Sequence, residues 1–277
     1  MPATLYIVPT PIGNLEDITT RALKTLESAD WIAAEDTRHT QRLLQHFSIK
    51  TRTLSLHEHN EEKRAAMLCH RLLEGETVAL VSDAGTPLIS DPGFVLVRHC
   101  REQGIPVVPL PGPCAAITAL SGSGLPTDRF IFEGFLPVKN QAKENRLALL
   151  ADRNATTVFY EAPRRVIATL RDIQKVLGEA RQVVIAKELT KAFESIISGR
   201  PEEVIAWLEA EPARQKGEFV VMVSPAPDKE TEISAEALSL LKTLAAELPL
   251  KKAAAVVASH YKLKKNALYQ AGLNFSE

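Results

Sequence analysis

Val78-Ala79-Leu80-Val81 runs directly into Ser82-Asp83-Ala84-Gly85-Thr86-Pro87-Leu88-Ile89-Ser90-Asp91-Pro92-Gly93. The four apolar residues predict a short buried strand. Small residues, prolines and glycines follow at once, and they exclude regular structure. Pro92 predicts the opening of a helix. Small side chains let a ligand approach the backbone closely. Asp83 and Asp91 can accept hydrogen bonds from hydroxyl or amino groups. A plain connection seldom needs so many special residues, so this loop is expected to hold a ligand.

Working outward, Leu5–Val8, Trp31–Ala34 and Val107–Leu110 repeat the apolar run. Helical patterns lie between them, as at Ala22, Leu23, Leu26 and Ala29, then Leu43, Leu44 and Phe47. Short apolar runs alternating with helices predict a parallel α/β sheet. Such sheets bind ligands at the carboxyl ends of their strands. Two more strands end in special loops. Leu5–Val8 enters Pro9-Thr10-Pro11-Ile12-Gly13-Asn14-Leu15, which lacks the G-x-G-x-x-G dinucleotide fingerprint. By itself this loop reads equally as a ligand loop or as a tight connection. Val107–Leu110 enters Pro111-Gly112-Pro113-Cys114-Ala115-Ala116-Ile117-Thr118. Most of Cys114–Ala119 is small enough for a flat ring to lie against. Cys114 itself reads as a small packing residue.

Gly122–Asp128 is a turn-rich linker, and a second α/β set follows. Arg129–Glu133, Thr157–Tyr160, Val183–Ala186 and Phe219–Val223 read as strands. Ala142–Leu150, Pro163–Leu177 and Pro201–Leu208 read as helices, with both prolines suited to a first turn. After the second linker, Ser224–Asp228, the pattern is purely helical from Ser234 onward. The expected organisation is therefore 1–121, 122–228 and a basic helical tail, 229–277. Within residues 249–277, Lys251, Lys252, Lys262, Lys264 and Lys265 stand against Glu277, in a chain of net charge −1. Whole-chain charge gives no hint of nucleic acid, so any RNA affinity must be local. The Lys251-Lys252 and Lys264-Lys265 pairs each fall near the start of an apolar stretch, as in a helix-turn-helix-like unit. Lysines at a helix start oppose the macrodipole. The tail reads either as a phosphate-binding element or as a solubilising cap.

The length allows a sizeable core. Cys69, Cys100 and Cys114 are far apart without C-x-x-C, which argues against disulfides or structural zinc. The N-terminal residues show no signal-peptide pattern, and no apolar run reaches the ~20 residues that span a bilayer. A reducing cytoplasm is the expected location, with no membrane partner.

The three loops, in this order, resemble those of the tetrapyrrole methylase superfamily. Further motifs carry the resemblance: Ala33-Ala34-Glu35-Asp36-Thr37-Arg38-His39-Thr40, Glu133-Gly134-Phe135-Leu136-Pro137, Phe159-Tyr160-Glu161 with Arg165, Glu188-Leu189-Thr190-Lys191 and Lys216-Gly217-Glu218. Leu248–Ala255 and Lys264–Tyr269 extend it into the tail. It is closest to the branch that acts on small-subunit ribosomal RNA. The resemblance implies a two-domain α/β, class III methyltransferase fold with a small C-terminal helical region. It implies S-adenosyl-L-methionine in the interdomain cleft, a 2′-O-methyl cytidine in the decoding region as product, the small ribosomal subunit as partner and a homodimer. Carried onto this chain, it places the cofactor against Ile12, Asp83, Ile89, Asp91, Cys114 and Ala115 on one side. Phe159, Tyr160, Leu189 and Gly217 are its counterparts on the other.

A ribose hydroxyl is a poor nucleophile while protonated, so a base or a nearby cation would help. Asp36 ends a predicted strand, and Arg38 could hold it or a phosphate. The pair reads equally as a helix cap. Glu161 and Lys187 also end predicted strands. Lys187 could lower the hydroxyl pKa or be a solvated strand end. Arg164 and Arg165, with Lys139, Lys143 and Arg146, are candidate phosphate ligands or ordinary solvated helix faces. His57 and His59 fit a solvated loop, and the chemistry needs no metal. Two rival functions share some of these features. A tetrapyrrole C-methyltransferase would want a roomy apolar cleft. A non-catalytic RNA-binding module would not need three cofactor loops.

Overall fold

The computed structural model describes residues 3–227 and 233–276. They form two compact units, Met1–Ala226 and Pro227–Glu277. The first unit holds two five-stranded sheets. Both α/β regions expected from the sequence thus belong to one compact body.

The first sheet contains β1 (Leu5–Ile7), β2 (Trp31–Ala34), β3 (Arg52–Ser55), β4 (Val78–Val81) and β5 (Val107–Pro109), in the order β3-β2-β4-β1-β5 and wholly parallel. Its central strands are buried on both faces, which explains their unbroken apolar runs. Leu5, Ile7, Ala33, Val78 and Leu80 pack with α3 (Glu61–Leu73) and α4 (Phe94–Glu102). Val8, Ile32, Ala34, Ala79 and Val81 pack with α1 (Thr20–Ser28) and α2 (Thr37–His46). β3 was not expected from the sequence. It is an edge strand, so only one side of it is paired and its polar Arg52-Thr53-Leu54-Ser55 is tolerated.

After α5 (Ala115–Gly122) the second sheet begins. It comprises β6 (Phe130–Phe135), β7 (Thr156–Glu161), β8 (Val183–Lys187), β9 (Ser195–Gly199) and β10 (Phe219–Val223). Their order is β6-β7-β10-β8-β9. Only β6 and β7 are parallel; the other pairs are antiparallel. β9 is the second strand missing from the sequence reading, and it too is an edge. One face of this sheet is covered by α6 (Asn140–Ala148), α7 (Val166–Leu177) and α8 (Pro201–Glu209). The helix expected to open at Pro163 starts at Val166, because Ala162–Arg165 form a turn. Pro201 does occupy the first turn of α8.

The other face of the second sheet packs on the first lobe. Ala116, Ala119 and Leu120 of α5, with Ile12, share a core with Val158, Val184, Ala186, Val220 and Met222. The alanines let the α5 backbone lie close to the sheet.

The second compact unit contains α9 (Ala235–Glu247), α10 (Leu250–Tyr261) and α11 (Lys265–Leu273). Ser234 caps α9 by accepting the Ala237 amide at 3.2 Å. Leu241, Ala253, Val257 and Leu268 form its small core. Among the described residues, no helix is long and apolar enough to cross a membrane.

Candidate active site

The carboxyl ends of β1, β4 and β5 carry the three loops, and hydrogen bonds knit them together. Thr10 and Gly85 exchange backbone bonds at 2.9 and 3.0 Å. The Thr86 hydroxyl donates to the Pro113 carbonyl at 2.9 Å. The Asp36 amide donates to Asp83 Oδ1 at 3.0 Å, which ties the end of β2 to the β4 loop. That loop is sharply bent, with Leu88 and Ser90 left-handed and Gly93 at φ 130°. Its far end is held by Glu61 Oε1, which accepts the Gly93 and Val95 amides at 2.9 and 2.8 Å. Such strain persists only where the surroundings fix it, and it clusters at binding sites.

The second lobe closes over these loops. The Asn14 amide donates to Thr190 Oγ1 at 3.0 Å across 176 residues of chain. The Ala116 amide donates to the Tyr160 hydroxyl at 3.3 Å. Glu161 accepts the Thr169 hydroxyl at 2.6 Å and the Ala162 amide at 2.9 Å, and pairs with Arg165 at 3.2 Å.

Between the lobes lies a cavity of about 470 Å³. Its apolar wall includes Ile12, Ile89, Ala115, Ala186, Leu189 and Val220. Its charged lining is entirely anionic among the described residues: Glu35, Asp83, Asp91, Glu161 and Glu218. Burial, reinforced by the negative charges of Asp91 and Asp83, pushes Glu35 up to about 7. Burial also raises Asp91 to about 6, against a lowering bond from Ser82. Glu161 and Glu218 are paired with Arg165 and Lys191, but Glu35, Asp83 and Asp91 have no such cationic partner among the described residues, so the cleft favours a ligand that brings positive charge of its own.

Of the residues expected to hold a cofactor, Ile12, Asp83, Ile89, Asp91, Ala115, Tyr160 and Leu189 line this cavity. Three do not. Phe159 is fully buried in the core on the opposite face of β7 from Tyr160, because successive strand residues alternate sides. Cys114 is the N-cap of α5 and packs beside the site. Gly217, at φ 96°, is a backbone requirement: a Cβ there would fall on the Glu188 side chain. The sequence reading missed Glu35, Ser90, Phe135 and Pro163 as lining residues. Glu35 and Phe135 did stand inside motifs quoted for the resemblance.

The expected catalytic and RNA-binding residues need larger corrections. Asp36 is the N-cap of α2, and Arg38 holds its carboxyl well below the usual carboxylate range. The Asp36–Arg38 pair, 2.8 Å apart, lies outside the cavity lining. Glu161 reaches the cavity, but its carboxylate is already saturated by Thr169, Ala162 and Arg165. Lys187 is buried rather than a solvated strand end, and it lies on the face of β8 opposite Ala186, away from the cavity. Lys143 is 4% exposed and pairs with Asp172 at 2.5 Å, so it is no phosphate ligand. Arg165 is spent on Glu161 and on the carbonyls of Leu136 and Pro137, at 2.8 and 3.1 Å. Arg146 is paired with Glu133. Lys139, Arg164, Lys251, Lys252, Lys264 and Lys265 are exposed. Among the described residues, no His, Cys, Asp and Glu group could hold a metal ion.

Residues 4–205 match the family described as Tetrapyrrole (Corrin/Porphyrin) Methylases, and residues 231–275 match the RsmI C-terminal HTH domain. The chain belongs to the tetrapyrrole methylase family, in its ribosomal RNA small subunit methyltransferase I branch. It is 57% identical to the ribosomal RNA small subunit methyltransferase I of Vibrio cholerae, over 97% of this chain and 94% of that protein. The Haemophilus influenzae protein of that name is 55% identical over 97% and 96%. Among solved structures, cobalt precorrin-4 methyltransferase matches with a TM-score of 0.59 at 18% identity, covering 80% of this chain and 95% of that one. That likeness shows the shared fold alone.

The cofactor of this family, S-adenosylmethionine, carries a sulfonium, an ammonium and a flat adenine. The cavity's carboxylates suit the cationic groups, and its apolar wall suits the ring. Asp91→Lys should abolish calorimetric binding of S-adenosylmethionine while the variant stays folded by circular dichroism. In the wild type, affinity should fall as pH drops from 8 to 6, because Glu35 and Asp91 then gain protons. Unchanged affinity in a folded Asp91→Lys variant would remove the β4 loop from the site.

Proposed function

We propose that this chain transfers the methyl group of S-adenosylmethionine to the 2′-hydroxyl of a cytidine in small-subunit ribosomal RNA. It acts in the cytoplasm as a symmetric homodimer, the commonest closed assembly, on RNA held in the small ribosomal subunit. The observation that carries this reading is the 57% identity to a ribosomal RNA small subunit methyltransferase I over 97% of the chain. The match includes the C-terminal helices, whereas cobalt precorrin-4 methyltransferase shares only the fold.

S-adenosylmethionine, when bound, supplies a methyl group activated by the sulfonium. The chain's residues supply alignment, a dry site and a proton acceptor. Ile12, Ile89, Leu189 and Val220 exclude water. Asp83 and Asp91 would hold the cationic portion of the cofactor. Glu161, fixed by Thr169 and Arg165, sets the wall at Tyr160–Pro163. Glu35 takes the ribose proton. It faces the cavity without a cationic partner among the described residues, and a pKa near 7 suits a general base at neutral pH.

Incubation with methyl-labelled cofactor and small subunits, naked RNA or a tetrapyrrole tests this reading. The label should appear in RNA and leave nuclease digestion as 2′-O-methylcytidine. Label in the tetrapyrrole, or on a base carbon, would contradict it. In the wild type the rate should rise as pH passes the Glu35 pKa. Glu35→Gln should lose both rate and that rise; an unaltered pH profile would remove Glu35 as the acceptor.

Lys251 and Lys252 lie in the first turn of α10, and Lys264 and Lys265 lie at the start of α11. All four oppose their helix dipoles, a local cost that RNA phosphate would relieve. Lys139 and Arg164 are exposed candidates on the first unit. Changing the four tail lysines to glutamine should weaken RNA binding at low salt and make its salt dependence shallower, because fewer counterions are released. Cofactor affinity should not change. Equal RNA affinity at low salt would leave these helices as a solubilising cap.

A further inference from the structure

Phe135 lines the cavity, yet 56% of its surface is exposed. An apolar ring of that size left open at the mouth of a reaction site needs a reason. The local structure shows that its position is imposed.

The β6–β7 register slips between Phe132 and Phe135: Phe132 pairs with Val158, whereas Phe135 pairs with Tyr160. Three steps on β6 therefore match two on β7, which is a β-bulge. Simple alternation would send Phe135 to the face opposite Phe132. The bulge returns it to the same side, where both rings meet Tyr160 edge-on at 5.0 and 5.7 Å. Bulges commonly re-aim a side chain beside an active site. Gly134 makes this one, at φ 65°, with Ser90 Oγ 3.3 Å from where its Cβ would stand.

The ring is also held from its other side. Leu136 is buried, and Arg165 grips the carbonyls of Leu136 and Pro137. Arg165 is itself fixed by Glu161. The phosphate ligand expected at Arg165 is thus a strut that holds Phe135 at the cavity mouth. Exposed Val138 and Lys139 continue the rim.

We propose that Phe135 is the platform on which the base of the methylated nucleotide stacks. The inference rests on the reading that the acceptor is a ribose of RNA. A 2′-hydroxyl that enters the cavity brings its base along, since C2′ is bonded to the carbon that carries the base. That base must leave its own helical stack to arrive, and an aromatic face replaces the lost stacking. A rigid, exposed ring at the mouth provides that face without entropy cost at the moment of binding.

The test uses the full-length chain and Phe135→Ala, Phe135→Leu and Phe135→Trp. Phe135→Ala should raise the KM for the RNA substrate by roughly 10–100-fold, the range typical of one base–aromatic stack. Calorimetric affinity for S-adenosylmethionine should fall far less than RNA affinity. Phe135→Trp should retain most RNA affinity, and Phe135→Leu should not. On RNA carrying an abasic site at the mapped acceptor nucleotide, wild type and Phe135→Ala should become equivalent. Three results would overturn the proposal. Phe135→Leu could match wild type, so that only apolar bulk matters. Cofactor affinity could fall as far as RNA affinity, placing the ring in the cofactor site. The alanine effect could persist on abasic RNA. Failure of the ribose reading would show separately, as a wild-type protein that labels no RNA.

Discussion

Gly13 and Asn14, in the loop that follows the first strand, press against Leu189, Thr190 and Lys191 of the second lobe. A Cβ on Gly13 would stand 2.5 Å from Lys191 Cγ, 2.8 Å from Thr190 Oγ1 and 3.0 Å from the Leu189 carbonyl oxygen. No side chain fits there, so glycine is what permits the two loops to touch. The Asn14–Thr190 hydrogen bond uses the same closeness, and Glu188 and Thr190 accept left-handed backbone beside it. The neighbours of this contact, Ile12 and Leu189, are two walls of the cavity. α5 adds the broader apolar seam through Ala116 and Ala119. The contact thus sets two facing walls of the cavity, Ile12 and Leu189, at close range.

That closure has an electrostatic cost. Glu35 and Asp91 are carried out of water beside Asp83, and their folded pKa values rise to about 7 and about 6. The folded state thus holds these protons more tightly than the unfolded chain. The unliganded protein loses stability from this pair as pH rises from the ordinary carboxylate range through 6 and 7. A cationic ligand reverses the sign by favouring the ionised forms. The same carboxylates that weaken the empty cleft select the charge of what fills it.

Much of this was legible in the sequence. Strands buried on both faces, such as Val78–Val81 and Phe219–Val223, must be apolar throughout, and they read correctly. Arg52–Ser55 and Ser195–Gly199 did not, because an edge strand needs little apolar surface. The cavity-lining β4 loop was recognisable because small, bent and acidic residues are rare in plain connections. Ion-pair partners were not legible. Lys143 with Asp172, Arg165 with Glu161, and Arg146 with Glu133 are fixed by tertiary packing, and nothing local distinguishes them from free basic residues. Phe159 was misplaced for a simpler reason: the strand was known, but which of its two faces met the cleft was not. The β6 bulge that turns Phe135 inward has only Gly134 as its local signal.

The central claim is that contact between the Gly13 and Thr190 loops creates the cofactor site. Calorimetric titration of S-adenosylmethionine into Gly13→Val tests it most directly. The account predicts a variant with native circular dichroism whose cofactor affinity is at least about tenfold weaker, a loss of roughly 1.4 kcal/mol or more. Wild-type affinity in that folded variant would show that the cleft forms without this contact, and would contradict the account.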